Sequence, residues 1–152
     1  MQTLEQQLTE IERYIPLLKE ENLAISKVSV AWQADHLLRV ISSIVRALEQ
    51  SDPIVFKAKF NFWRSLFLAL NYLPRGKGRA PKKVIPTAEI NESGLRQQLS
   101  FARDNTLQLE KLPALTHFSH PVFGELNKSQ AKKFIRIHTE HHLKIIRDIL
   151  KN

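Results

Sequence analysis

The stretch Asn127-Lys-Ser-Gln-Ala-Lys-Lys-Phe-Ile-Arg-Ile-His-Thr-Glu-His-His-Leu-Lys-Ile-Ile-Arg-Asp-Ile-Leu150 reads as one long amphipathic helix. Asn127 with Gln130 three positions on has the form of a capping box, which satisfies free backbone N–H groups at a helix start. At about 100° per residue, with His142 set at 0°, His138 falls at about −40°, Ile145 at about −60°, Ile149 at about −20°, Ile135 at about +20° and Ile146 at about +40°. Two histidines therefore lie one turn apart in the middle of the apolar stripe. His141, at about −100°, shares its direction with Lys144 and Asp148 and belongs to the flank. A helix with one apolar stripe has to bury it against other helices, and the remaining sequence supplies them.

Leu4, Leu8, Ile11, Ile15 and Leu18 repeat at spacings of four and three, the stripe of a first helix, with a kink or break expected near Tyr14 because Pro16 removes a backbone donor. A second helix is expected from Val30 to Gln50, closed by Ser51-Asp52-Pro53. Its main apolar face is Leu37, Ile41, Ile44 and Leu48. Beside it runs a mixed strip of Trp32, His36, Val40, Ser43 and Ala47, more like one wall of a cavity than core. A shorter, aromatic-rich helix is expected over Asn61–Leu73. A loop with two prolines and two glycines breaks it, Pro74-Arg-Gly-Lys-Gly-Arg-Ala-Pro-Lys-Lys83. A fourth long helix begins at an Asn91 or Ser93 cap and ends near Leu112-Pro113. Residues 114–126 read as another loop, and no strand alternation stands out. The expectation is an all-α single domain over 1–152: a four-helix bundle with an extra short helix in the crossover.

Two imidazoles four residues apart on a buried face suit a divalent cation, which binds both as neutral ligands and removes the cost of burying them charged. His36 lies on an inward strip of a different helix, and bundle metal sites are built from inward side chains of facing helices. The expected ligand set is His36, His138 and His142, with the fourth coordination position open. The alternative is a set of hydrogen-bonded core histidines. His120, before Pro121, either reaches the mouth of such a site or anchors its loop. His117 reads as a surface loop residue. Asp35 points away from its neighbour and reads as a salt-bridge or capping group, with an indirect role at the site as the alternative. Trp32, Val40, Ser43 and Phe123 are candidate pocket residues, and His141 flanks them.

Composition bounds the rest. The chain has 152 residues, no cysteine, and a net charge of +8 from 23 Lys+Arg against 15 Asp+Glu. Zero cysteine excludes disulfides, thiolate metal sites and a cysteine nucleophile. No inward carboxylate pair supports glycosidase chemistry, and serine-triad, phosphate-loop and dinucleotide motifs are absent. The apolar run Phe62–Leu73 is too short to span a membrane and Met1–Leu8 is polar rather than leader-like. A cytoplasmic location is expected, with no membrane among the partners.

The residues Val30-Ala-Trp32-Gln-Ala-Asp35-His36-Leu-Leu, His120-Pro121-Val-Phe123-Gly124-Glu-Leu and His138-Thr-Glu-His141-His142-Leu-Lys-Ile-Ile, in that order and around a basic crossover, resemble the DinB/YfiT-like superfamily of metal-binding helical bundles, in a branch of unknown function. The resemblance covers essentially the full length. It implies an up-down-down-up bundle with a metal, commonly zinc or nickel, on His36, His138 and His142. It also implies a metal-dependent enzyme, either thiol-dependent S-transferase-like with a low-molecular-weight thiol or hydrolase-like, acting on a small-molecule substrate. Better-known branches carry the first histidine further beyond the tryptophan, where this chain has Arg39.

The rival readings are a non-catalytic helical binding or scaffold protein and a basic nucleic-acid-binding protein. Arg75, Lys77, Arg79, Lys82 and Lys83 cluster in the crossover, and Lys128, Lys132, Lys133, Arg136 and Lys144 on the last helix. No aromatic residue is interleaved in the basic loop, so nucleic-acid binding is disfavoured. Leu143 and Leu150, read as exposed, point to a possible homodimer face.

Overall fold

The computed structural model describes residues 2–75, 82–86 and 89–151, without the side chain of Lys83. The fold is mostly helical, with a small two-stranded sheet. Its helices are α1 (Leu4–Tyr14), α2 (Val30–Glu49), α3 (Phe62–Leu70), α4 (Glu92–Lys111) and α5 (Lys128–Leu150). The strands β1 (His117–His120) and β2 (Gly124–Asn127) lie between α4 and α5. α2 packs against both α4 and α5, α1 against the same two helices, and α3 against α5.

The helix boundaries follow local chemistry. Thr3 caps α1 and closes a capping box with Gln6. Pro16 converts the end of α1 into a 3-10 turn over Ile15–Leu17, as its missing N–H requires. Ser29 caps α2, Asn91 caps α4, and Asn127 with Gln130 forms the expected capping box of α5. α3 stops at Leu70 rather than Leu73 because Asn71 adopts the left-handed conformation (φ 51°) that ends a helix. The apolar stripes meet in one core that includes Leu8 and Ile11, Leu37, Ile41 and Leu48, Leu95 and Leu99, and Ile135, Ile146 and Ile149.

Two sequence expectations are corrected. The segment read as a loop contains an antiparallel hairpin in which His117 faces Asn127 and His120 faces Gly124. Three residues, Pro121-Val122-Phe123, make its turn, and Gly124 follows at φ 64°. That is the left-handed position a three-residue hairpin requires, and glycine takes it without strain. Leu143 is fully buried and Leu150 half-buried against the core. α5 is covered by α1 and α2 and by α3 as well, so its apolar surface is wider than a single stripe. Leu143 is therefore not part of an exposed face.

α1 and α5 are also joined by a polar network. Arg147 donates two hydrogen bonds to the Glu10 carboxylate, at 2.6 and 2.7 Å, and one to Glu140 at 2.7 Å. The Tyr14 hydroxyl donates to Glu10 at 2.8 Å. Hydrogen bonding from Arg147, with lesser contributions from Gln2 and Tyr14, holds Glu10 at a pKa of about 2 against the ordinary 4.5. A depressed carboxylate stabilises the fold above its unfolded pKa and loses that contribution as pH falls towards its folded one. Thermal melts between about pH 4.5 and 2 are therefore expected to show a loss of about 2 kcal/mol attributable to this group, after allowance for its partial exposure. Glu10→Gln is expected to flatten that part of the acid limb while lowering stability at pH 7.

Candidate metal centre

His36 enters the interior from α2, and His138 and His142 from successive turns of α5. One ring nitrogen from each lies within 4.8 Å of the other two. The ring centroids are 5.4 Å apart for His36–His138, 4.8 Å for His36–His142 and 4.5 Å for His138–His142. His36 and His142 are buried and His138 is half-buried. The three residues selected on the helical wheels are thus the three the fold brings together.

Hydrogen bonds fix the tautomers of two of them. The carbonyl oxygen of Val84 lies 2.8 Å from His36 Nδ1 and can only accept, so Nδ1 carries the proton. Gln33 Oε1 lies 2.5 Å from His142 Nδ1, while the Gln33 amide donates to Ser26 Oγ at 3.2 Å. That donation identifies Oε1 as the acceptor and Nδ1 of His142 as the donor. Each ring is left with its lone pair on Nε2, the arrangement in which metal-binding histidines are usually held. Burial pushes all three imidazoles below their ordinary pKa of 6.5, His138 and His142 well below it. The neighbouring rings add to the depression of His138 and His142. The rings are neutral at physiological pH, the protonation state a metal takes. The donor set fits a borderline-soft divalent cation, which binds imidazole at about 2.0–2.1 Å.

The other candidates fall into two groups. Trp32 stacks on His36, centroids 4.9 Å apart at 18°. His141 packs edge-on to His142 at 5.1 Å, and its Nδ1 donates to the Leu73 carbonyl at 3.0 Å. His120 and Phe123 stack at 4.5 Å, and both meet Phe134, which lies 5.6 Å from His138. The hairpin thus contributes an aromatic wall beside the histidines. His120 Nδ1 accepts from the backbone N–H groups of Val122 and Phe123, each at 3.2 Å, so the loop-anchoring role is real. Burial lowers its pKa to about 4, and the neutral ring keeps its remaining proton on Nε2.

Asp35 is engaged with other partners. Asp35 pairs with Arg39 and accepts from Gln98 at 2.6 Å, the salt-bridge role that its direction on the helix indicated. Arg39 is thereby held beside Asp35. Val40 belongs to the core and Ser43 is half-buried two turns along from His36. Sequence reasoning missed Gln33, Phe134 and the Val84 carbonyl. Gln33 was detectable: it stands three residues before His36, where side chains share a helix face.

The basic sets are less free than composition implied. Lys132 pairs with Glu110 at 2.6 Å, and Lys128 donates to the Glu110 and Leu112 carbonyls. Arg75 pairs with Asp148 at 2.6 Å. Lys77 and Arg79, like the Lys83 side chain, lie outside the described residues. A shallow groove of about 730 Å³, lined by Glu110, Lys128, Lys132, Lys133 and Arg136 among others, includes none of the histidines. No helix among the described residues is long and apolar enough to cross a membrane. Compared with family models, with curated proteins and with solved structures, the chain matches none.

Proposed function

We propose that the chain is a divalent-metal-binding protein of the DinB/YfiT-like type. In this reading α1, α2, α4 and α5 form an up-down-down-up four-helix bundle, α3 is the short crossover helix, and His36, His138 and His142 hold one zinc or nickel ion. The reading rests on the convergence of three neutral imidazoles from two helices within 4.8 Å, two of them with Nδ1 tied so that Nε2 is free. Three neutral ligands would leave a bound cation its full charge, and such a cation would supply acidification of a water or binding of a substrate thiolate. A small-molecule transferase or hydrolase is the activity that this chemistry supports.

The chain's own contribution is positional. Val84 and Gln33 orient two ligands, Trp32 backs His36, and the His120–Phe123–Phe134 wall limits access from the hairpin side. Metal analysis of tag-free protein tests the reading. About one metal per chain is expected, lost in His36→Ala, His138→Ala and His142→Ala. Metal-free protein indifferent to added zinc leaves the histidines as core polar groups of a scaffold. Gln33→Leu is expected to weaken zinc binding by about 10–100-fold, the usual cost of removing a ligand's hydrogen-bond partner. Gln33→Glu, which keeps the acceptor, is expected to retain most of the affinity. Isothermal titration of both variants checks this.

A further inference from the structure

α3 is built inside out. Its one charged residue, Arg64, is buried, donating to the carbonyls of Phe123 at 3.2 Å, Glu125 at 2.7 Å and Lys59. Its outer surface carries Phe62, Trp63 and Leu70, each more than half exposed. In the flanking sequence Phe60 is 84% exposed, Ile54 90% exposed and Tyr72 51% exposed. Scattered exposed apolar residues are ordinary, but an apolar helix face laid over a buried arginine marks a surface that something covers.

Charge identifies the occupant. Between Asp52 and Glu89 the sequence holds eight basic residues and no acidic one. The net charge of +8 therefore lies entirely in this segment, since the remaining 15 Lys+Arg balance the 15 Asp+Glu. Lys57 and Lys59, a few residues before α3, are exposed and pair with no carboxylate among the described residues. Exposed aromatic and aliphatic side chains on a short helix, preceded in sequence by exposed lysines, suit an interfacial anchor. A second copy on this face would bring two basic segments together with no acid between them. Nucleic acid would stack on the aromatic rings but leave Ile54 and Leu70 uncovered. A helix of nine residues is about 14 Å long, too short to span but long enough to lie in a headgroup layer.

We propose that α3 and the segment before it form a peripheral docking surface for an anionic lipid bilayer. The side chains of Phe60, Phe62, Trp63 and Leu70 enter the interface while Lys57 and Lys59 face acidic headgroups. The expectation of no membrane partner rested on the absence of a spanning segment, and surface attachment has no such length requirement. This proposal does not depend on whether the histidines hold a metal.

Flotation with vesicles tests it. The protein is expected to float with phosphatidylcholine vesicles containing phosphatidylglycerol, to stay behind with phosphatidylcholine alone, and to be released as salt is raised. Lys57→Gln and Lys59→Gln are expected to weaken partitioning roughly fivefold each. The double variant F60S/W63S is expected to abolish it with an unchanged melting temperature, because both side chains are exposed. A blue shift of tryptophan emission on anionic vesicles is expected to disappear in Trp63→Phe, which separates Trp63 from Trp32. Failure to float, equal uptake by neutral and anionic vesicles, or unaltered binding by F60S/W63S overturns the proposal. So does a solution dimer that the same double variant dissociates, or an oligonucleotide that binds in place of the vesicles.

Discussion

Zinc added to the metal-free protein at about a hundred times its dissociation constant is expected to raise the melting temperature by roughly 5–10 °C. Binding at that excess stabilises the folded state by about 2.7 kcal/mol, and a domain of this size gains about 2–4 °C per kcal/mol. His138→Ala and His142→Ala are expected to remove the rise altogether. The same histidines set the pH dependence. Burial holds their folded-state pKa values below the 6.5 of an unfolded chain. Above about pH 6.5 both states are neutral and nothing is lost. Below it the unfolded chain takes up protons that the folded one refuses, so stability falls as pH falls. Zinc, which binds the rings in the neutral form they already hold, is expected to raise stability along that limb. Calorimetric scans from about pH 8 down to about pH 5, with and without zinc, read out both effects. A histidine-dependent acid limb with no response to zinc would leave the core-polar reading standing and remove the metal.

The parts of this molecule legible in its sequence are those governed by interactions a few residues apart. Asn127 and Gln130 announce the start of α5 because a capping box closes within one turn. Pro16 ends α1 because the missing donor is its own. His138 and His142 read as an inward pair because helical periodicity alone places them. His36 required one further step, the assumption that two inward strips face each other, and the fold brings it into the cluster. What was not legible depends on partners distant in sequence. Leu143 looked exposed because a wheel shows one helix, and its cover comes from neighbouring helices. The hairpin escaped notice because two four-residue strands around a proline carry too little alternation to register, and their pairing is fixed by a turn conformation at Gly124. In the sequence Arg64 is simply a charge within the apolar run Phe62–Leu73. Its partners, Phe123 and Glu125, lie about sixty residues away, and only the folded chain shows that the charge points inward.

A large effect is also expected from substituting Arg64. Its guanidinium donates to three backbone carbonyls, those of Phe123 and Glu125 in the hairpin and that of Lys59 before α3, and is met by no carboxylate among the described residues. In Arg64→Met the side-chain volume is roughly kept, but the carbonyls of Phe123 in the hairpin turn and Glu125 in β2 lose their donor. A buried acceptor left unsatisfied costs about 1–3 kcal/mol, so with partial rehydration of the Lys59 carbonyl the expected loss is about 3 kcal/mol. That corresponds to a melting temperature lower by roughly 6–12 °C. Arg64→Lys is expected to recover only part of this, because a single ammonium cannot reproduce a planar fork spread over three acceptors. The damage is expected to be local first. Amide hydrogen exchange should accelerate at Val122 to Glu125 while the α2–α5 interface keeps its protection. Because the same hairpin carries His120 and Phe123 against Phe134 and His138, zinc affinity is expected to fall as well, though less than in the ligand variants. Uniform loss of protection across all helices would instead assign Arg64 to global stability and leave the aromatic wall beside the histidines without a support of its own.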